Sequence, residues 1–284
     1  MSIKAYKGFD KNMQCRGFQF AEGETYHEDT AKLCESGFHV CEMPLDALTY
    51  HAPGKGSIYR EVTLNEVTDE SSNDNKRCAK TITIGKELGI GGLVEAQLKF
   101  VKEKNRNRSE ARQTQGVAEV FGNLGAAQAT GYRGAAQATG NLGAAQATGG
   151  LGAAQATGYR SAAQATGYRS AAQATGYRGA AQATGGLGAA QVTGDLGAAH
   201  ATGDRSAAQV TGDLGAAHAT GKASVAGGCG SDCRVAGALG CAIFAVERTP
   251  DGTIISVASA IVDGEKIKPD TWYKCIGGKF VEST

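Results

Sequence analysis

The alternation of small, apolar and polar positions has one dominant feature. From Gly122 to Thr220 it repeats every nine residues, eleven times without a gap, as the word G-x-[LR]-[GS]-A-A-[QH]-[AV]-T. Self-similarity at a fixed short period is the signature of a solenoid, and nine residues hold one short strand plus a tight corner. The pattern therefore predicts a mainly β fold built on a β-solenoid. The corner is Gly-x-[LR], where glycine takes a positive φ at little steric cost. The strand is the remainder, with side chains alternating between two faces. The apolar enlargements Val192 and Val210 both occupy the second-last position, so that position and the Ala127-type position predict the inward row. The Gln/His and Thr positions then point outward and define an outer face that includes Gln164, Gln173, His200, His218, Thr202 and Thr220.

The last four words alternate QVT and HAT, so Val192 and Val210, His200 and His218, and Asp195 and Asp213 are related by two words. The simplest coil is thus two unlike nine-residue arcs. Eleven words make about five and a half coils, a rod roughly 26 Å long at ~4.8 Å between stacked strands. A core of Ala with a few Val is thin, because burial stabilises by only ~25 cal/mol per Å² of apolar area. Backbone ladders and close stacking must carry more of the stability than usual, and end caps or oligomerisation would help. The Leu or Arg residues of the corners predict a stripe covered by Tyr132, Tyr159, Tyr168 and Tyr177.

The flanks read differently. Residues 1–85 predict a small α+β domain, with IKAYKGF, RGFQF, GFHVC and SIYREVTLNEV as strands and PLDALTYH as a short helix begun by Pro44. Residues 86–121 predict a helix up to Lys104, a polar linker NRNRSEARQTQ, and an imperfect first repeat, GVAEVFGN, that caps the solenoid. The solenoid is expected over residues 122–240, decaying after Thr220. Residues 241–284 predict a C-terminal β cap, with a hairpin around Pro250-Asp251-Gly252.

Composition adds bounds. The repeat accounts for much of the glycine, 42 residues of 284, and the formal charge is only +1. Such a balance exerts no strong pull toward nucleic acid or membranes. The basic stretch Lys102–Arg112 lacks interleaved aromatics and reads as a solvated segment. No apolar run reaches membrane-spanning length, and MSIKAYKGF lacks the apolar core of a signal peptide. The expected location is the cytoplasm of a host cell, or a virion, and the eight cysteines are expected as reduced thiols.

Three clusters could carry chemistry. Cys229, Cys233 and Cys241 could hold a metal, but their spacing is not that of a common zinc site, and small buried hydrophobes are the plainer reading. Cys34, His39 and Cys41 could do so too, since His39 and Cys41 share a strand face; packing again outweighs it. His200 and His218 should stack as a polar ladder. Metal, cofactor and a convergent catalytic set are therefore not expected. The Gln-x-Thr rows form a flat polar face of the kind used in ice binding, a reading weakened by the bulk of Gln and His beside the Thr row.

With YKGFD, CRGFQ, GETY, GFHVC and PLDAL at one end, and VDGEKIKPDTWYK and GKFVE at the other, the whole chain resembles a group of phage- and prophage-encoded proteins. That resemblance implies phage or mobile-element origin, and together with the lack of a convergent catalytic set it leads to the expectation of a non-enzymatic binding or scaffold protein. Its rod presents terminal domains to a host or phage protein, inhibiting or sequestering a host or defence factor, within a homo-oligomer (dimer or trimer). A virion fibre or spike is the alternative of the same class. The segments AYKGF, SGFHVCEMPLDALTYH and SIYREVTL also resemble, in order, the ADP-ribosyltransferase fold. This second resemblance implies, as the alternative, an ADP-ribosyltransferase-like enzyme or its inactive relative in residues 1–85, in which Tyr6 and Gly8 line the nicotinamide pocket and His39 or Tyr50 flanks it. Lys7-Gly8-Phe9 stands where that family has His-Gly-Thr, and Glu61 and Glu66 are the candidates for its catalytic glutamate.

Overall fold

A computed structural model describes residues 2–68, 76–104, 108–111 and 115–283. The N-terminal domain contains strands β1 (Ile3–Phe9), β2 (Gln14–Cys15), β3 (Phe18–Gln19), β4 (Thr25–His27) and β5 (Phe38–Cys41). A 3-10 turn, Pro44–Asp46, leads into helix α1 (Ala47–Tyr50), followed by β6 (Ile58–Val67) and β7 (Lys76–Leu88). The sheet order is β4-β7-β5-β1-β6, and β7 also pairs with β6, so four antiparallel strands close on themselves. Alternation along β6 and β7 sends Val62, Leu64, Ile82 and Ile84 inward, where they meet Phe9, Phe20, Phe38 and Val40. The domain's last strand ends at Leu88, slightly beyond the expected boundary.

The repeats form a two-sheet β-solenoid of about seven turns over residues 117–245. Strands β8 (Arg108–Ala111) and β9 (Val117–Phe121) precede one strand per word, from β10 (Ala126–Thr130) to β20 (Ala216–Ala219). Next come β21 (Val225–Gly228), β22 (Arg234–Gly237) and β23 (Ala242–Arg248). Each strand pairs in parallel with the one two words later: Ala126 with Ala144, Val192 with Val210, His200 with His218. The coil is therefore two words, as the alternation of the last copies implied. The imperfect repeat at residues 117–121 does open one sheet, pairing with Ala135–Thr139. The expected linker is corrected in part: Arg108–Ala111 is a strand paired with β10, since a parallel ladder needs only backbone groups. Residues 105–107 and 112–114 lie outside the described residues.

The inward rows are the predicted ones, with Ala127, Ala129, Val192 and Val210 all in the core. The corners differ from expectation in one respect. The first glycine of each word has a large positive φ, and in six of the eleven words the Leu or Arg two residues on is left-handed as well, with φ 58° at Arg160, 60° at Arg178 and 56° at Leu196. Left-handed conformation disfavours such residues by roughly 1 kcal/mol, and packing offsets it here, since all three side chains are buried. At the C-terminal end β24 (Ile254–Ile261) pairs antiparallel with β23, and the hairpin of β25 (Tyr273–Ile276) and β26 (Lys279–Glu282) joins β22.

The two solenoid sheets have different surroundings. Helix α2 (Ile90–Lys104) lies across the sheet containing β10, putting Leu93, Val94, Leu98 and Val101 on the outward alanines Ala126, Ala144, Ala162 and Ala180. Its first turn comes close to the glutamine column at Gly91, where a Cβ would stand 2.7 Å from Gln182 Nε2, the end of a flexible side chain. The other sheet, containing β9 and β23, carries no such cover from α2.

Candidate ligand pocket and the covered sheet

The N-terminal domain holds a cleft of about 500 Å³ between β1, the β2–β3 hairpin, β5 and α1. Tyr6, Gly8, His39 and Tyr50, singled out from distant points of the sequence, all line it. Gly8 has a clear physical role. A Cβ at this position would meet His51 Cβ at 2.6 Å, so only glycine lets the His51 ring lie against β1. Tyr6 is buried, and burial followed by the charge of Glu61 pushes its phenol up to about 12.

The polar groups of the cleft are mainly cationic or neutral. Lys7 Nζ donates to the His39 carbonyl at 2.8 Å and stands 5.8 Å from the ring centres of both Phe9 and Phe20. Lys76 lies 4.5 Å over the Tyr50 ring, and Arg16 lines the same space. The backbone N–H of Cys34 donates to His39 Nε2 at 2.7 Å, which places the ring proton on Nδ1. Burial, then Lys7 and Arg16, lower the His39 pKa, so the ring is neutral near pH 7. His51 is held to about 4 by burial and then Lys7, with its Nε2 3.8 Å from Cys15 Sγ. The carboxylates at the cleft are engaged: Glu28 accepts from the Gly37 N–H at 2.9 Å, and Glu35 pairs with Lys32 at 2.8 Å. Such a site can hold an anionic group near Lys7, Arg16 and Lys76 while an aromatic ring stacks on Phe18 or Tyr50.

Some of these residues were not legible in the sequence. Lys7, Cys15, Arg16, His51 and Lys76 come from four elements, and only the closure of the sheet brings them to one cleft. Glu61 instead pairs with Lys4 at 2.6 Å, and neither it nor Glu66 is among the residues lining the cleft. His39 and Cys41 share a face of β5, as alternation implied, and both line the cleft. Among the described residues no group of three His, Cys, Asp or Glu is placed to hold a metal. Cys233 and Cys241 lie in the solenoid core, and their thiols donate to the carbonyls of Gly212 and Gly221 at 3.0 Å.

The outward residues of the solenoid separate onto its two sides. Gln173 is on the open sheet. Gln164, His200, His218 and Thr202 are on the sheet under α2, so the expectation of one flat exposed face is corrected for them. Thr220 follows the last word's strand and donates its backbone N–H to Ala201. Gln164 bonds within a ladder, from Gln146 at 2.8 Å and to Gln182 at 3.1 Å. His200 and His218 continue that column as stacked rings 5.2 Å apart, as predicted, but beneath cover. Trp272 lies 5.5 Å from His218, Arg234 stands 4.1 Å over Trp272, and His218 Nε2 is 3.2 Å from Asp270.

This column makes stability pH-dependent. Burial and then His218 hold His200 to about 4, and burial lowers His218 against the opposing pull of Asp270. The unfolded chain takes up these protons near pH 6.5 and the folded chain does not, so stability is full above 6.5 and falls as pH drops toward 4. For His200 alone the loss approaches ~3 kcal/mol. Urea titrations at pH 7.5 and 5 should show it, and His200→Gln, the residue one coil earlier at Gln182, should flatten the slope. An unchanged slope would assign the acid sensitivity elsewhere.

Among the described residues no helix is long and apolar enough to cross a membrane. No curated protein and no solved structure matches the chain. Residues 3–96, the N-terminal domain with the start of α2, match the family model described as a domain of unknown function, DUF7666.

Proposed function

We propose that this chain is a non-enzymatic binding protein of the phage type, in which the solenoid is a rigid backbone and the N-terminal cleft is the recognition site. The observation that supports this best is the make-up of the cleft: three cations and several aromatic faces around neutral imidazoles, with its carboxylates already engaged. This arrangement suits holding a negatively charged group of a partner, whether a side chain of a host or phage protein or a bound nucleotide. Docking through α2 fixes the cleft against the rod, as presentation of a recognition site requires.

The test is affinity capture from host lysate with the whole chain, beside an Arg16→Glu/Lys76→Glu variant whose changes lie at the cleft. A partner retained by the wild type and lost at least tenfold by the variant is the expected result. Equal capture by both would move the recognition site away from the cleft. A second reading, ADP-ribosyl transfer, is favoured by the gathering of Tyr6, Gly8, His39 and Tyr50 in one cleft. NAD consumption abolished by Tyr50→Ala would support it and displace the non-enzymatic reading.

A further inference from the structure

The open sheet of the solenoid has no counterpart of α2, and its outward residues form three straight columns. The first runs Val117, Ala135, Ala153 and so on through Ala207, Val225 and Ala242 to Ile261. The second is a glutamine ladder from Gln137 to Gln209, and the third a threonine ladder from Thr139 to Thr211. At the C-terminal end the columns become strongly apolar. The Phe244 ring lies over Gly227, where a Cβ would be 2.1 Å from it. Ile255, Val257 and Ile261 are 57%, 55% and 66% exposed on the adjoining strand. Between Val117 and Ile261 the outward positions of this sheet's strands include two charges: Glu119 at the far end, and Arg248, which ends β23 and donates to the Cys229 carbonyl at 2.7 Å.

We propose that this sheet is a dimer interface, on which a second copy of the chain packs its own open sheet with the two rods parallel. Three observations converge on that occupant. The first is area: nine strands at ~4.8 Å and five residues at ~3.3 Å give ~650 Å² per copy, or ~1,300 Å² in total, inside the range of stable interfaces. The second is charge, since interface cores are depleted of charged residues and this face is nearly free of them. The third is spacing. A surface that meshes with flat rows over the whole rod must repeat at the same interval, and another copy of the sheet does so by construction. A two-fold axis along the rod puts the Val225, Phe244, Val257 and Ile261 end against its own copy, burying the most apolar part of the face on itself. The covered sheet is an internal precedent: there the same words bury their outward alanines under Leu93, Val94, Leu98 and Val101.

The interface stands apart from the cleft, which belongs to the domain covering the opposite sheet, so the two readings fail separately. The experiment is sedimentation velocity of the full chain across 1–100 μM, with Val257→Asp/Ile261→Asp and, as a control outside this sheet, Ile276→Asp. A dimer is expected for the wild type and for Ile276→Asp, and a monomer with unchanged circular dichroism for the Asp pair, because both positions are exposed in the single chain. Gln173→Cys, in the middle column, should cross-link to its counterpart under mild oxidation. A monomeric wild type, a dimer that survives the Asp pair, or a dimer that does not cross-link through position 173 would overturn the proposal.

Discussion

Asp46→Ala is expected to destabilise the chain by about 3–5 kcal/mol, because it strands two buried arginines. Asp46, in the turn before α1, has no exposed surface, and Arg160 and Arg178 are 8% and 6% exposed. The Asp46 carboxylate pairs with Arg160 Nε and lies 3.6 Å from an Arg178 terminal nitrogen. Tyr159 and Tyr177 stack 5.4 Å apart over the same corner, with the Arg160 and Arg178 guanidinium carbons 4.7 and 5.2 Å from the Tyr159 ring centre. The cost comes from the charges left behind, not from the lost pair, so removing the charges should restore most of it. Leu124, Leu142, Leu196 and Leu214 occupy the same corner position in neighbouring coils. Asp46→Ala/Arg160→Leu/Arg178→Leu should therefore recover at least half of the lost stability in urea denaturation. A triple variant as unstable as Asp46→Ala would mean that the carboxylate acts through other neighbours.

That corner also shows what the sequence could and could not convey. The nine-residue word, the inward rows and the two-word coil all follow from local periodicity, which acts on every copy alike. The position of the N-terminal domain does not, because it depends on which copies depart from the word. Taken one coil at a time, the corner column runs Leu124, Leu142, Arg160, Arg178, Leu196, Leu214, and the column beside it runs Asn123, Asn141, Tyr159, Tyr177, Asp195, Asp213. The two Tyr-Arg corners mark where Asp46 docks, a signal hidden when all third positions are pooled into one stripe. The outward glutamines similarly form one face in the sequence pattern, since α2's apolar spacing shows that it is buried but not against which sheet. In the cleft, Tyr6, Gly8, His39 and Tyr50 are the residues to which the resemblance of short motifs to the ADP-ribosyltransferase fold points. Lys7, Arg16, His51 and Lys76 gather there only through the pairing of β7 with both β5 and β6.

Gly167→Ala should, with its equivalent Gly149→Ala, be among the most damaging single-methyl changes in the rod. Gly167 opens a word with φ 150°, where a side chain is strained, and a Cβ there would stand 1.6 Å from the Gly149 carbonyl oxygen of the coil before. That oxygen cannot retreat cheaply, because the neighbouring groups are fixed in the ladder: the Gly149 N–H donates to Thr166 O and the Gly167 N–H to Thr184 O, both at 2.9 Å. Backbone strain of this kind costs on the order of 1–3 kcal/mol, and opening the stack adds the loss of ladder hydrogen bonds at about 1 kcal/mol each. A loss of roughly 3–5 kcal/mol is expected, against a thin alanine core with little reserve. Gly179→Ser is the matched control: serine occupies that word position at Ser161, Ser170 and Ser206, and the nearest contact of an added Cβ is 3.3 Å. It should change stability by less than about 0.5 kcal/mol. Because each coil contacts only its neighbours, the damage from Gly167→Ala should also be local. Hydrogen exchange should rise first at the strands flanking residue 167, Ala162–Thr166 and Ala171–Thr175, while the core of the N-terminal domain stays protected. Uniform exchange across the chain would mean instead that rod and domain unfold as one cooperative unit.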